Sequence, residues 1–257
     1  MRVLGVDTSA EYLSIYLGQG SALDQFNLVK QVHSKEGRQH GVSLLPNVAQ
    51  LLEEVAWTRD SITDIVVGVG PGSYTGLRIG VTMAKVWADT ASICLYGISS
   101  LGLMAANGPV DEPAKTAIIP IMDARRLSAY LGVYQWQNGR LVNLLADCHV
   151  DWLAFQDSLD HLLTKAGIER LIFVGEGIED FIDCFDLNYS YEYLSGNQSL
   201  ANFDQGLASG LAQLADQPGY LNPNYAHATL AEQEWAQKHN KEIADDKTNE
   251  AFIDRHS

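Results

Sequence analysis

The sequence predicts an α/β fold of two duplicated lobes with a cleft between them, and two repeated patterns support this prediction. Short apolar strands run into glycine turns at Gly70–Gly72 and Gly175–Gly177, and each turn opens a helix. Each half also starts with a strand that ends in an aspartate, Asp7 in the first and Asp123 in the second. An internal duplication is the simplest explanation of this shared order.

The 257 residues divide most naturally at the turn-rich run 107–113. We predict a first lobe over 1–106, a second over 107–225, and a C-terminal helix with a polar tail over 226–257. Hydrophobic residues make up 46% and charged residues 19%, as in a globular protein. The net charge of −15 argues against direct clamping of a nucleic-acid backbone, which needs a basic face.

The N-terminal sequence, the lengths of the apolar runs and the cysteine spacing predict a cytoplasmic protein without membrane contact. We identify no signal peptide in the N-terminal sequence, and no run approaches the ~20 apolar residues of a membrane span. The three cysteines are scattered, so they suggest neither a disulfide framework nor a metal knuckle.

In the first half, hydrophobic periodicity predicts a strand, a hairpin and then alternating helices and strands. Ser43 is expected to cap the first helix, with Pro46 in its first turn. Ser73 or Thr75 is expected to cap the second helix, and a short helix is expected from Ser99. The predicted strands cover 2–6, 12–17, 21–30, 65–69 and 93–98.

The second half repeats this order. Asp151 is expected to cap a helix that ends at Gly167, a residue suited to a helix C-terminus. Further helices are expected over 178–185 and 202–215. The predicted strands cover 117–122, 130–135, 141–145 and 171–174.

The helix after the first glycine turn carries a small-residue ridge, defined as Gly76, Gly80, Ala84 and Ala88. These residues recur every four positions, so a second backbone could approach closely. Three interpretations remain open: a tight turn before a core helix, a phosphate-binding loop, or a helix that docks on a partner. No Walker Lys-Ser/Thr follows the glycines, so docking is favoured over phosphate binding.

Two polar clusters follow the aspartate-terminated strands. Asp7, Thr8 and Ser9 can close a turn or hold a metal or phosphate, and the sequence favours neither. Asp123 is followed by Arg125 and Arg126, which could bind an anion bidentately. A structural ion pair at the hinge between the lobes is the favoured interpretation of this second cluster.

Several motifs together resemble the bacterial TsaB (YeaZ) family of the actin-like ATPase superfamily, whose fold is called ASKHA or ribonuclease H-like. The resemblance is good over about the first 135 residues and loose beyond them. The C-terminal pattern of the family is only partly kept at 223–227. The motifs are VLGVDTS at 3–9, H-x-x-x-LLP at 40–46, VGVGPGSYTGLRIG at 67–80, YGISSL at 96–101 and MDARR at 122–126.

This resemblance implies a role in making threonylcarbamoyladenosine (t6A) at position 37 of tRNAs that read ANN codons. The implied partners are TsaD and TsaE, with a homodimer when the chain is alone and tRNA contacted only through the complex. Family members pair through helices of the first lobe. The expected interface residues are Tyr74, Thr75, Gly76, Arg78, Gly80, Ala84, Ala88, Leu44 and Val48.

The resemblance also implies an inactive paralogue of TsaD that needs no cofactor or metal. TsaD-like chains carry a metal-binding His-x-x-x-His where this sequence has Ser100 and Met104. The expected vestigial nucleotide site comprises Asp7, Thr8, Ser9, Asp123, Gly175 and Gly177. The alternative function is an actin-like-fold ATP-dependent kinase or ATPase that uses Asp7 and Asp123 with Mg²⁺. A peptidase lacks support, since neither a metal pair nor a Ser-His-Asp pattern is evident.

Overall fold

A computed structural model describes residues 1–22, 25–35, 39–184 and 189–226. The strands are β1 (Arg2–Asp7), β2 (Tyr12–Gly20), β3 (Phe26–Lys35), β4 (Asp64–Gly68), β5 (Cys94–Ile98), β6 (Thr116–Asp123), β7 (Ser128–Gln137), β8 (Arg140–Asp151), β9 (Arg170–Val174), β10 (Ser190–Leu194) and β11 (Gln213–Leu214). The helices are α1 (His40–Glu54), α2 (Tyr74–Ala91), α3 (Ser100–Ala105), α4 (Trp152–Ala166), α5 (Glu179–Asp183) and α6 (Phe203–Ala208).

The two sheets share one topology, which confirms the predicted duplication. The first sheet has the order β11-β5-β4-β1-β2-β3, and the second has the order β10-β9-β6-β7-β8. In both sheets, three consecutive strands form an antiparallel meander. Two further strands, parallel to the first strand of the meander, extend the sheet on the side of that strand away from the second. Parallel neighbours need crossover connections, and α1, α2, α4 and α5 supply them in matching positions.

Amphipathic helices cover the sheets and form the cores. In the first lobe, Leu44 and Val48 of α1 are each 2% exposed and pack with apolar residues of β1, β2 and β4. In the second lobe, α4 begins at an Asp151 cap whose Oδ1 accepts from Ala154 N at 3.1 Å. It ends at Gly167 with φ of 68°, so both predicted ends of this helix are confirmed.

The starts of α1 and β3 differ from the sequence-based prediction, and β2, β7 and β8 are longer than predicted. Helix α1 begins at His40 after Gln39, so Ser43 is not its cap and Pro46 lies inside it. The Ser43 hydroxyl instead donates to Gln39 O at 3.1 Å, the back-bonding that serine uses within helices. Strand β3 covers 26–35 rather than 21–30, because β2 continues to Gly20 before the hairpin turns.

After β10 the chain returns to the first lobe. The helix predicted over 202–215 begins where expected, after an Asn202 cap, but it is too long: α6 ends at Ala208, and Gly210 takes a φ of +78° that a helix cannot continue. Phe203 and Leu207 pack beneath the first sheet, and β11 pairs antiparallel with β5. We predicted that residues 107–225 form the second lobe, but residues 203–221 pack against the first lobe. Of the predicted C-terminal tail, residues 227–257 lie outside the described residues.

Among the described helices, none is both long enough and apolar enough to cross a membrane.

Candidate functional site

A cleft of about 890 Å³ lies between the lobes, beside the carboxyl ends of β1 and β6. Ligands of α/β folds bind where such strand ends meet. Asp7 and Ser9 line the cleft from the first lobe, and Asp123, Arg125 and Glu176 line it from the second. Of the residues of the predicted vestigial nucleotide site, Asp7, Ser9 and Asp123 line this cleft, whereas Thr8, Gly175 and Gly177 are not among its lining residues.

The Asp7 carboxylate is occupied by hydrogen bonds within the chain. Asp7 is 3% exposed, and its Oδ1 accepts from Ser9 N at 2.8 Å and from Ser9 Oγ at 2.5 Å. Its Oδ2 accepts from Ser100 Oγ at 2.5 Å. These bonds fix the loop after β1 and tie it to the first residue of α3, which supports the turn interpretation of this cluster.

The first glycine loop uses its N–H groups internally as well. Ser100 Oγ accepts from Gly70 N at 3.1 Å, and Ser9 O accepts from Ser73 N at 2.7 Å. Ser73, one of the two predicted cap residues, caps α2: its Oγ accepts from Gly76 N at 3.2 Å. A phosphate cradle would need such donors, so their internal bonding weakens the phosphate-loop interpretation.

The loop after β6 does not contain the predicted ion pair. Asp123 Oδ1 accepts from the backbone N–H of Arg125 at 2.7 Å, and within the described residues neither Arg125 nor Arg126 forms a salt bridge. The carboxylate is engaged by its own turn, and both arginine side chains are exposed. Residues 125–127 all have positive φ, a run that L-residues seldom adopt.

The second glycine turn gives the cleft an acidic wall. Gly177 has φ of +64°, and a Cβ on Gly175 would overlap the carbonyl oxygen of Ile121. Between them, Glu176 accepts from Gly196 N at 2.8 Å. The charged residues of this lobe that line the cleft are Asp123, Arg125 and Glu176. The two carboxylates outnumber the one guanidinium, and like charge disfavours binding of a polyphosphate there.

The small-residue ridge is buried inside the first lobe, so its predicted role as a docking surface is wrong. Ala84 and Ala88 are 0% exposed, and Gly76 and Gly80 lie against Thr8 of the loop after β1. Thr8 Oγ1 donates to Gly76 O at 2.7 Å. A second backbone does approach the ridge closely, but it belongs to the same chain. Leu44 and Val48, also predicted as interface residues, are core residues too.

The opposite face of α2 is exposed and forms an apolar groove with α1, here called the α1–α2 groove. Its volume is about 780 Å³. Val86 and Leu45 are 58% and 59% exposed, although both are aliphatic. Of the predicted interface residues, Tyr74, Thr75 and Arg78 line this groove, and Leu44, which is 2% exposed, lies at its floor. The sequence analysis missed the other lining residues, which are Gly41, Leu45, Arg59, Ile79, Thr82, Met83, Val86, Trp87 and Thr90.

The two residues at the position of the expected histidine pair are buried in the wall of the cleft. Ser100 is 1% exposed and Met104 is 7% exposed, both on α3. Within the part of the chain that the structure describes, no group of three or more His, Cys, Asp or Glu side chains could hold a metal ion.

Two lobes of this shared topology, with a cleft at their strand ends, define an actin-like protein. Residues 24–185 match the sequence model of the family "TsaD: tRNA N6-adenosine threonylcarbamoyltransferase". The chain belongs to this family, within which its relatives are TsaB (YeaZ) proteins.

The TsaB protein of Bacillus subtilis is 38% identical over 60% of this chain. That of Escherichia coli is 32% identical over 52% of it. Both carry the name tRNA threonylcarbamoyladenosine biosynthesis protein TsaB. The aligned regions span 65% and 55% of the relatives' own lengths, which is less than two thirds.

The structure of YeaZ from Pseudomonas aeruginosa superposes with a TM-score of 0.65 at 20% identity. It covers 87% of this chain and 99% of that one. This likeness shows a common fold and supports the two-lobed architecture.

Proposed function

We propose that this chain is a non-catalytic dimerisation and activating subunit in threonylcarbamoyl transfer to adenosine 37 of tRNAs that read ANN codons. It acts in the cytoplasm with a TsaD catalytic chain and with TsaE, and it forms a homodimer when alone. It contacts tRNA only indirectly, through that assembly. Membership of the TsaD family and similarity to TsaB proteins support this proposal.

The chemistry of α3 carries the non-catalytic part of the proposal. Ser100 and Met104 stand where the resemblance to TsaD-like chains expects a metal-binding histidine pair. A hydroxyl and a thioether cannot replace two imidazoles on a hard or borderline metal. Ser100 is also committed to Asp7 and Gly70 by hydrogen bonds, so its oxygen serves the packing of the first lobe.

The α1–α2 groove is the surface proposed to dock the partner. Its exposed aliphatic residues form a contiguous apolar surface of the kind that marks interaction sites. Arg78 and Tyr74 flank it, and interfaces are enriched in both residue types. We assign it to a TsaD chain that presents an apolar helix face with a carboxylate opposite Arg78. This replaces the buried ridge as the docking surface.

Reconstitution of tRNA modification tests the function. TsaD and TsaE from the same organism are incubated with tRNA, ATP, threonine, bicarbonate and the enzyme that makes threonylcarbamoyl-adenylate, with and without this chain. We expect t6A only in its presence. Equal t6A yields with and without the chain would overturn the proposal. Tight Mg²⁺–ATP binding and turnover by the isolated chain would instead favour the kinase or ATPase function.

A further inference from the structure

The last described residues form a C-terminal strap, defined as residues 221–226, that crosses the first glycine loop. Leu221 packs with the first-lobe core and against Gly97. Asn224 N donates to Val69 O at 2.7 Å. The carbonyl oxygen of Asn224 lies so close to Gly70 that a Cβ there would overlap it, and Gly70 has φ of +104°. Glycine is therefore required at position 70 partly because the strap lies on it.

This anchoring places one aromatic ring against another at the start of α2. The ring centroids of Tyr225 and Tyr74 are 4.6 Å apart at an interplanar angle of 33°. The guanidinium carbon of Arg78 lies 5.4 Å from the Tyr74 centroid, and Arg78 Nη1 donates to Tyr74 Oη at 3.3 Å. Tyr74 is thus held between the strap and the next turn of its own helix.

Tyr74 also forms one wall of the α1–α2 groove. It is the first residue of α2 and is 44% exposed. An exposed tyrosine at a helix end samples several rotamers, and a partner that binds it must first order it. Contact with Tyr225 supplies that order before binding. The preformed wall then adds to affinity, because less freedom is lost in the complex.

We propose that Tyr225 is a positioning residue for partner docking: it holds the Tyr74 ring in the orientation that completes the α1–α2 groove. The proposal rests on the proposed function, because the occupant of the groove is the TsaD chain assigned above. It gives the C-terminal strap a role in assembly, and it explains why a tyrosine follows Asn224 beside the glycine loop.

The test measures the Kd for TsaD from the same organism by isothermal titration calorimetry. We expect Tyr225→Ala to weaken binding about tenfold, because the Tyr74 ring loses its support. Tyr225→Phe keeps the ring and is expected to stay within twofold of the wild type. Tyr220→Ala is the matched control, since Tyr220 lies just before the strap, is 71% exposed, and should leave Kd unchanged.

A double-mutant cycle with Tyr74→Ala separates positioning from general stabilisation. If Tyr225 acts through Tyr74, then Tyr225→Ala has no further effect on Kd once Tyr74 is alanine. A full tenfold effect in that background would overturn the proposal, as would wild-type Kd for Tyr225→Ala. Should Tyr225→Ala fail to fold by circular dichroism, Tyr225→Leu fills the volume without a ring, and the same tenfold loss is expected.

The two proposals fail differently. If the wild-type chain does not bind TsaD, the assigned partner is wrong and the proposed function fails. If the wild-type chain binds TsaD but Tyr225→Ala binds equally well, only the role of Tyr225 is refuted.

Discussion

Replacing Gly80 by alanine tests the close packing of α2 on the loop after β1. Thr8 is 0% exposed, and a Cβ added to Gly80 would overlap its hydroxyl oxygen. That hydroxyl donates to Gly76 O at 2.7 Å, so relief of the overlap breaks the bond. Gly41 in α1 offers a matched control, because a Cβ there would meet only Ile79 Cδ1 at an ordinary 3.5 Å.

The expected cost combines two opposing contributions. Alanine is favoured over glycine in a helix interior by about 1 kcal/mol. Loss of the buried Thr8 hydrogen bond, with the hydroxyl left unpaired, costs about 3 kcal/mol. Gly80→Ala is therefore expected to lower the free energy of unfolding by about 2 kcal/mol, which lowers Tm by roughly 6 °C in a chain of this size. Gly41→Ala, in the first turn of α1, is expected to raise stability by at most about 1 kcal/mol.

Urea unfolding of the single variants and of the double variant Thr8→Ala/Gly80→Ala measures these values. Removal of the Thr8 hydroxyl vacates the space that the new methyl group needs. The double variant should therefore be more stable, by about 1 kcal/mol or more, than the sum of the single effects implies. Additive effects, or a stabilising Gly80→Ala, would refute the packing described for the ridge.

Two further predictions concern buried side chains. Ala84→Arg is expected to prevent folding of the first lobe, because it buries a charge at a fully buried position, and proteolysis should show this directly. Burial raises the pKa of Asp147, which accepts from Ser99 Oγ at 2.5 Å and from Tyr134 Oη. Its contribution to stability is thus greatest in acid and is lost as pH rises through the raised pKa. This component of the pH dependence should be absent from Asp147→Asn in urea titrations, and an unchanged pH profile would contradict it.

Repetition in the sequence was enough to predict the two lobes. Residues close together in the sequence determine each strand that ends in aspartate, each meander and each glycine turn. The shared strand order therefore follows from short-range patterns. The return of the chain to the first lobe was not predictable in this way. Strand β11 has only two residues, and its pairing with β5 depends on tertiary contact. Periodicity of Phe203 and Leu207 indicated a helix but not which lobe it covers.

The sequence analysis assigned a docking role to the buried face of α2 for a physical reason. Small residues at four-residue spacing show that some backbone comes close, but they do not show whose backbone it is. Thr8 of the same chain fills that role. Val86 and Met83 lie on the other face, and aliphatic residues at helical spacing look like core positions in a sequence. Only their exposure in the folded lobe distinguishes a groove from a core.

Binding of TsaD to wild-type chain and to two charge variants tests the central claim most directly. Val86 in the α1–α2 groove and Leu153 on α4 are both helical and 58% exposed, so they form a matched pair. We predict that Val86→Glu weakens the calorimetric Kd at least tenfold, since a carboxylate would be desolvated against an apolar partner face. Leu153→Glu should leave it unchanged. Equal binding by Val86→Glu and Leu153→Glu would contradict the assignment of the groove as the surface on which this chain meets its catalytic partner.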